Sequence, residues 1–198
     1  MNGLMMRRQL ATIRLLPCIM LSVLLLPAGL SAQSFPSQYD KLIKSASKLY
    51  MPGVDWRLFK AQLYQESRLN PKAVSPVGAQ GLGQIMPGTW SDITRQLKLD
   101  KHLVFNPKAN IQASAFYMAQ MRRFWTAPRP ASDKHSLAMA SYNAGAGNIL
   151  KAQKRCRNAQ LYQSIIRCLP KVTGHHSKET ITYVQRIWSY WVKMMIGV

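Results

Sequence analysis

The hydrophobic residues of this chain recur mainly at the three- and four-residue intervals of helices, and few stretches alternate with the two-residue period of a strand. Glycine and proline interrupt this pattern, and each interruption predicts a turn or loop. The interruptions fall at residues 51–53, 70–88, 105–107, 127–132, 144–147 and 170–174. The pattern therefore predicts an all-α domain of five to seven helices, with at most one short hairpin near residues 75–85.

Three of the predicted helices carry residues of chemical interest. The first spans about Asp55–Leu69, with Asp55 as its N-cap, and stops before Asn70-Pro71. The second spans about Ser136–Tyr142 and stops at the Asn-Ala-Gly-Ala-Gly run that follows. The third spans about Lys178–Met195, and Ser177 is its predicted N-cap.

Glu66 lies on the apolar face of the first helix. With Phe59 at zero on the helical wheel, Leu63 falls at about +40°, Trp56 at about +60° and Glu66 at about −20°. Burial disfavours a carboxylate, so its pKa rises. A carboxylic acid that keeps its proton near neutral pH can protonate a glycosidic oxygen. The alternative is a buried glutamate that is hydrogen-bonded for structural reasons alone.

The third helix has an apolar stripe and an aromatic end. The stripe is predicted at i, i+3, i+7 and i+10, and comprises Ile181, Val184, Trp188 and Trp191. Glu179 and Tyr183 share a neighbouring face, one turn apart. The aromatic end consists of Trp188, Tyr190 and Trp191, which we expect to pack into the core. Docking on a membrane or a partner is the alternative.

The first 32 residues have the pattern of a secretory signal peptide. Arg7, Arg8 and Arg14 form a positive segment, the apolar run Leu15–Leu26 follows, and small residues lead to a cleavage site near Ala32. An uncleaved membrane anchor is the alternative, although a span needs roughly 20 apolar residues. We therefore expect a periplasmic or secreted protein, with residues 33–198 as its single domain and no membrane span after cleavage.

The chain is strongly basic, with 27 Lys and Arg residues against 7 Asp and Glu residues and a net charge of +20. Removal of residues 1–32 takes away three basic residues and no acidic one, which leaves +17. Such a surface favours anionic cell wall, acidic lipid headgroups or nucleic acid, unless it is simply solvated. The sequence contains no recognised DNA- or RNA-binding motif, so we expect no nucleic-acid partner.

Two cysteines, Cys156 and Cys168, lie beyond the predicted signal peptide. Export to an oxidising compartment favours a disulfide bond between them, whereas a reducing compartment would leave two free thiols. His175 and His176 are adjacent and have no partner at metal-ligand spacing, so we interpret them as part of a polar loop.

Four segments of the chain resemble motifs of one enzyme family. The segment from Glu66 to Pro87 closely resembles the signature of the soluble-type lytic transglycosylases, whose fold is similar to goose-type lysozyme. Residues 140–145 (Ala-Ser-Tyr-Asn-Ala-Gly) look like the third motif of that family, and residues 179–184 (Glu-Thr-Ile-Thr-Tyr-Val) like the fourth. Residues 105–111 (Phe-Asn-Pro-Lys-Ala-Asn-Ile) resemble the usual entry into the next helix. The resemblance covers about residues 39–191.

The resemblance implies a set of site residues. Glu66 would be the catalytic acid/base. Ser75 and Gln84 would contact hydroxyl or acetamido groups of the sugars, and Tyr142 and Asn143 would line the opposite side of the cleft.

The last motif would complete the site. Tyr183 would hydrogen-bond the Glu66 carboxyl and orient it, and Glu179 would support that wall or touch the substrate. The chain departs from the family at Gly83, where many members have a methionine. The sequence therefore does not determine the shape of the sugar subsite wall.

The activity implied by the resemblance is cleavage of the β-1,4 bond from N-acetylmuramic acid to N-acetylglucosamine, which leaves a 1,6-anhydro end. It implies peptidoglycan glycan strands as the partner, no cofactor or metal, and a monomer. One alternative is a hydrolytic muramidase on the same fold. Another is a non-catalytic wall-binding component of an envelope-spanning secretion or conjugation apparatus.

Overall fold

The computed structural model of the protein describes residues 35–197, and the predicted signal peptide lies outside them. The described residues contain seven helices of ten or more residues and two of five or fewer. In chain order these are α1 (Asp40–Tyr50), α2 (Trp56–Ser67), α3 (Pro87–Leu97), α4 (Pro107–Phe124), α5 (Ala131–Ala144), α6 (Ala146–Arg155), α7 (Tyr162–Ile166), α8 (Pro170–Thr173) and α9 (His176–Ile196). A 3-10 helix, Lys101–Phe105, precedes α4.

The all-α fold class is confirmed, and the prediction of five to seven helices omitted only short ones. In place of the predicted hairpin, residues 70–86 form a loop with two isolated antiparallel bridges, which pair Val74 with Gln80 and Gln80 with Ile85. Within residues 35–197, no helix has the length and apolarity that crossing a bilayer requires.

The helix that carries Glu66 begins where the sequence predicts. The Asp55 side chain accepts a hydrogen bond of 2.9 Å from the Arg57 backbone N–H and so caps α2. The helix ends at Ser67, slightly earlier than predicted, because Arg68 and Leu69 both adopt left-handed backbone angles, with φ of 55° and 60°. This reversal turns the chain directly into the loop 70–86.

The predicted start of α9 is wrong in its detail. Ser177 lies within the first turn, not at the N-cap, and its hydroxyl donates to the Gly174 carbonyl at 2.7 Å. The buried stripe is also rotated from the predicted one. It is centred on Thr180, Tyr183, Val184 and Ile187, while Ile181, Trp188 and Trp191 are only partly buried. The reason is that α9 packs against both α2 and α5, so two neighbours determine its buried face.

The aromatic end of α9 packs against the core, as we expected. Trp188 donates to the Ser136 hydroxyl on α5 at 3.0 Å. Tyr190 accepts a hydrogen bond of 2.8 Å from Arg68, just beyond the end of α2. All three aromatic residues border the main hydrophobic cluster.

Two hydrophobic clusters lie on either side of the loop 70–86. The main cluster includes Phe59, Leu63 and Val184, and a smaller one gathers Trp90 and Ile93 of α3 with residues of α4. Leu82 is fully buried in the main cluster, and Ile85 is buried in the smaller one. The loop is therefore anchored in both clusters, which fixes its path past the end of α2.

The disulfide bond between Cys156 and Cys168 is present, with a Cα–Cα distance of 5.8 Å. It joins the residue that follows α6 to the second residue after α7. This confirms the sequence prediction.

Reduction of this bond should lower the free energy of unfolding by roughly 3 kcal/mol, because it releases the unfolded chain from a closed loop. Thermal melting with and without a reductant measures the effect. A Cys156→Ser/Cys168→Ser double variant is the control, since a reductant should not change its Tm. Two titratable thiols in the native exported protein would contradict the bond.

A buried histidine predicts how stability depends on pH. Arg122 donates to Nδ1 of His135 at 2.7 Å, and His135 is 2% exposed. Burial, and next the charge of Arg122, lower the pKa of His135 to about 3 from its ordinary 6.5. Below pH 6.5 the unfolded chain binds a proton at His135. The folded chain binds that proton only at about pH 3. The contribution of His135 to the free energy of unfolding is therefore fully present above pH 6.5 and is lost as the pH falls from 6.5 towards 3.

The expected loss is up to about 1.4 kcal/mol per pH unit across this window. Denaturant unfolding at several pH values measures the slope for the wild type and for His135→Gln, in which it should be smaller. His102→Gln, at an exposed histidine, is the matched control. Equal slopes in all three proteins would contradict the assignment.

Candidate active site

The predicted site residues come from four parts of the chain that the fold brings together. Glu66 lies in the last turn of α2, and Tyr183 lies in the second turn of α9. The loop 70–86 runs past the end of α2, and α5 ends beside it with Tyr142 and Asn143. Because α2 packs against α9, the carboxyl of Glu66 faces the hydroxyl of Tyr183.

Tyr183 donates a hydrogen bond of 2.5 Å to Oε1 of Glu66. The predicted contact is therefore formed. Burial raises the pKa of Glu66 to about 8, opposed by the Tyr183 hydrogen bond and reinforced by the negative charge of Glu179. The side chain remains partly exposed, so a ligand can reach it. A carboxyl group with such a pKa is mostly protonated at neutral pH and can both give and take a proton.

The tyrosines around Glu66 keep their own protons. Burial, and next the charge of Glu66, raise the pKa of Tyr183 and of Tyr142 well above 10. Gln62, one turn before Glu66 on α2, hydrogen-bonds the Tyr183 hydroxyl and partly opposes this rise in the pKa of Tyr183. Tyr183 therefore acts as a hydrogen-bond donor to Glu66 throughout the neutral range.

The end of α5 carries Tyr142 and Asn143, which contact the loop 70–86 and α9. The Tyr142 hydroxyl donates to the Gly83 carbonyl at 2.8 Å, and its ring packs on Tyr117 with centroids 4.9 Å apart. Oδ1 of Asn143 accepts a hydrogen bond of 2.8 Å from the Thr180 hydroxyl on α9. These contacts fix the orientation of both side chains.

The loop residues Ser75 and Gln84 form hydrogen bonds within the loop. The Ser75 hydroxyl accepts from the Ala79 N–H at 2.9 Å. Nε2 of Gln84 donates to the carbonyls of Ala73 and Gly81 at 3.2 and 3.0 Å. Both side chains thus stabilise the loop, and their contact with a sugar stays a prediction. Glu179 is exposed at the start of α9, near enough for its charge to act on Glu66.

Sequence reasoning missed two residues that fix the loop. The Ser67 hydroxyl on α2 donates to the Leu82 carbonyl at 2.8 Å. Asn110 on α4 is 1% exposed, accepts from the Gly83 N–H at 2.8 Å and donates to the Val104 carbonyl at 2.8 Å. The sequence could have indicated both residues. Ser67 lies in the segment 66–87 and Asn110 in the segment 105–111, both of which resemble family motifs, and Asn110 is a polar residue among apolar helix positions.

A cleft of about 450 Å³ adjoins the site on the side of α9. Tyr183 and Glu179 form one wall of it. Four basic or imidazole side chains also line it: His175, His176, Lys178 and Arg186. In the part of the chain that the structure describes, no group of three His, Cys, Asp or Glu side chains is arranged to hold a metal ion.

Two variants should move the pKa of Glu66 in opposite directions. Tyr183→Phe removes the donor that favours the carboxylate, so the pKa should rise above the wild-type value. Glu179→Gln removes a negative charge, so the pKa should fall. Carbon-13 NMR of labelled glutamate measures both, since residues 35–197 contain only these two glutamates. Tyr50→Phe is a tyrosine control, and a shift of the same sign in both variants would contradict this electrostatic description.

Comparison with known proteins matches the chain to a known family. The family model described as the transglycosylase SLT domain matches residues 43–165. Among curated proteins, the membrane-bound lytic murein transglycosylase F of Yersinia enterocolitica is 30% identical over 129 residues, which are 64% of this chain and 25% of that protein. The protein of the same name from Shewanella loihica is 32% identical over 137 residues, which are 69% of this chain and 26% of the relative. The chain thus spans about a quarter of the length of these relatives.

Solved structures show the same fold. The 70 kDa soluble lytic transglycosylase of Escherichia coli superposes with a TM-score of 0.62 at 26% identity, over 80% of this chain and 24% of that one. An inactive glutamate-to-glutamine mutant of the Pseudomonas aeruginosa lytic transglycosylase Slt gives 0.65 at 29% identity, with the same coverage. A complex of the 70-kDa soluble lytic transglycosylase with bulgecin A gives 0.65 at 25% identity, over 83% and 25% of the two chains. On the sequence match and the shared fold together, the chain belongs to the transglycosylase SLT domain family.

Proposed function

We propose that this protein is a peptidoglycan lytic transglycosylase with Glu66 as its single acid/base. It would cleave the β-1,4 bond from N-acetylmuramic acid to N-acetylglucosamine. Two features of the Glu66 carboxyl carry the proposal. Its pKa is raised to about 8, and it accepts a hydrogen bond of 2.5 Å from the Tyr183 hydroxyl. Such a group can donate and later recover a proton in one catalytic cycle.

In the first step, protonated Glu66 gives its proton to the glycosidic oxygen as the bond from C1 to that oxygen breaks. The acetamido group of the muramic acid stabilises the positive charge that develops at C1, as in substrate-assisted glycosidases. Tyr183 supports the newly formed carboxylate by its hydrogen bond, which strengthens when the acceptor is charged.

In the second step, the Glu66 carboxylate takes the proton of the C6 hydroxyl of the same sugar. The C6 oxygen then forms a bond to C1, which closes the 1,6-anhydro ring and releases the acetamido group from C1. Glu66 ends the cycle protonated, as it began, and no water is consumed. The residues present need no cofactor for either step.

A hydrolytic muramidase is the second candidate, and one observation favours it. Glu179 is a second carboxyl group whose charge acts on Glu66. In glycosidases a second carboxylate can activate water or attack C1 directly. The two candidates differ in their product, because hydrolysis leaves a reducing end in place of the anhydro ring.

The charge of the protein supports an anionic polymer as the substrate. Residues 33–198 carry a net charge of +17, and the cleft beside Tyr183 is lined by Lys178 and Arg186. Peptidoglycan bears free carboxylates on its peptides, so it is attracted to such a cleft. The signal-peptide pattern of residues 1–32 supports the proposal that the activity is periplasmic or outside the cell.

The test is digestion of purified peptidoglycan, followed by mass analysis of the muropeptides. We expect products one water lighter than those of a muramidase. Glu66→Gln should reduce the rate by at least about 10³-fold, because the amide fills the same volume but cannot donate the proton. Its thermal melting should match the wild type, which separates loss of chemistry from loss of fold.

Two results would contradict the proposal. Reducing ends would show that the enzyme is a hydrolase. A loss of only a few-fold in Glu66→Gln would show that another group is the acid. Glu179→Gln distinguishes further. A lyase should stay active, with the alkaline limb of its pH–rate profile moved to lower pH because the pKa of Glu66 falls, whereas a hydrolase that relies on Glu179 should lose its activity.

A further inference from the structure

Gly83, beside the active site, is a glycine because of space and not because of backbone angle. Its φ does not lie in the left-handed region, unlike that of its neighbours Gly81 and Gln84. A Cβ at position 83 would lie 1.9 Å from Oγ and 2.7 Å from Cβ of Ser114, and 3.0 Å from the Tyr142 hydroxyl. Contacts below 3.0 Å are not found for real Cβ atoms, and two of these involve Ser114 near its backbone. Ser114 therefore occupies the space of the missing side chain.

Both backbone groups of Gly83 form hydrogen bonds with side chains of neighbouring helices. Its N–H donates to Oδ1 of Asn110, and its carbonyl accepts the Tyr142 hydroxyl, each at 2.8 Å. Ser114 is fully buried on α4, and its hydroxyl donates to the Asn110 carbonyl at 2.7 Å. The Ser114 side chain also lies near the Tyr142 hydroxyl, where it affects the pKa of Tyr142. Any displacement of Gly83 must therefore move Tyr142.

Tyr142 connects this cluster to the acid/base. Its hydroxyl lies close enough to Glu66 that the carboxylate charge raises the pKa of Tyr142. The family resemblance predicts that Tyr142 lines the cleft, and a displacement of its hydroxyl would change the electric field at Glu66. The packing of Ser114 against Gly83 thus reaches the reacting group through one side chain.

We propose that Ser114 is a positioning residue for glycan cleavage. By filling the space that Gly83 leaves, it holds the Gly83 carbonyl in place, and this carbonyl holds the Tyr142 hydroxyl at the cleft wall. The inference rests on the proposed function for its readout, and it makes positions 83 and 114 a coupled pair. Positions 83 and 114 cannot both carry a side chain, because the two would collide. We expect full activity only when one of the two positions carries one.

The test is a cycle of three variants: Gly83→Ala, Ser114→Gly and the double variant. Gly83→Ala should lower kcat roughly tenfold by collision, and Ser114→Gly by a similar factor because it leaves a hole beside Tyr142. The double variant refills the hole from the loop side, so its kcat should exceed that of either single variant. KM should change less than kcat, and the alkaline limb of the kcat–pH profile should shift in the single variants and return in the double variant.

Two matched controls separate positioning from stability. Gly88→Ala adds a Cβ with no atom within 4 Å. Ser47→Gly removes another buried helical serine, far along the chain in α1, that makes no side-chain hydrogen bond. It should lower Tm as Ser114→Gly does, while its kcat and pH profile stay at the wild-type values. All rates are measured well below each Tm.

Additive losses in the cycle would overturn the proposal, as would single variants with normal kcat and a normal pH profile. The rate is counted as new chain ends of either kind. Hydrolysis in place of anhydro-ring formation therefore refutes the proposed lyase function and still leaves the cycle readable. If the wild type cleaves no glycan, Tyr142 is followed by NMR on binding of chitotriose, and an identical Tyr142 response in all variants overturns the positioning role.

Discussion

The hydrogen bond from Tyr183 to Glu66 is the interaction on which the site depends, because it balances the cost of burying a carboxyl group. Burial alone would keep Glu66 protonated and make it a poor base, whereas a fully solvated glutamate would be ionised and could not act as an acid. One donated hydrogen bond, on a carboxyl that is still partly exposed, leaves the pKa at about 8, where both protonation states are accessible. The packing of α2 on α9 brings the two residues within hydrogen-bonding distance.

A second constraint concerns the loop 70–86, whose backbone is held by a different helix at each of three successive groups. Ser67 of α2 binds the Leu82 carbonyl, Asn110 of α4 binds the Gly83 N–H, and Tyr142 of α5 binds the Gly83 carbonyl. Buried backbone groups without a partner are costly, so these side chains stabilise the loop as well as shape it. A loop attached to three helices in this way provides a rigid wall beside Glu66.

Sequence reasoning succeeded where the signal is local or periodic. Asp55 caps its helix by its own side chain, and the position of Glu66 among Phe59 and Leu63 follows from the angle between successive residues. It failed where two or more neighbours decide the outcome. The buried face of α9 depends on α2 and α5 together, which no wheel of α9 alone can show.

The loop residues illustrate the same limit. The contacts of Ser75 and Gln84 within the loop depend on backbone angles that the sequence does not reveal, and Gln84 itself has a φ of +46°. The departure from the family at Gly83 is visible in the sequence, but its physical cause is Ser114, which lies 31 positions away along the chain. Only the packing of α4 against the loop relates the two.

The most direct measurement is the titration of Glu66 in the wild-type protein by carbon-13 NMR of its side-chain carboxyl. We expect a single transition with a midpoint near pH 8, well above the ordinary 4.5 of a glutamate. A midpoint near 4.5 would show that Glu66 is ionised at neutral pH, and a carboxylate that holds no proton cannot be the acid that begins the cleavage.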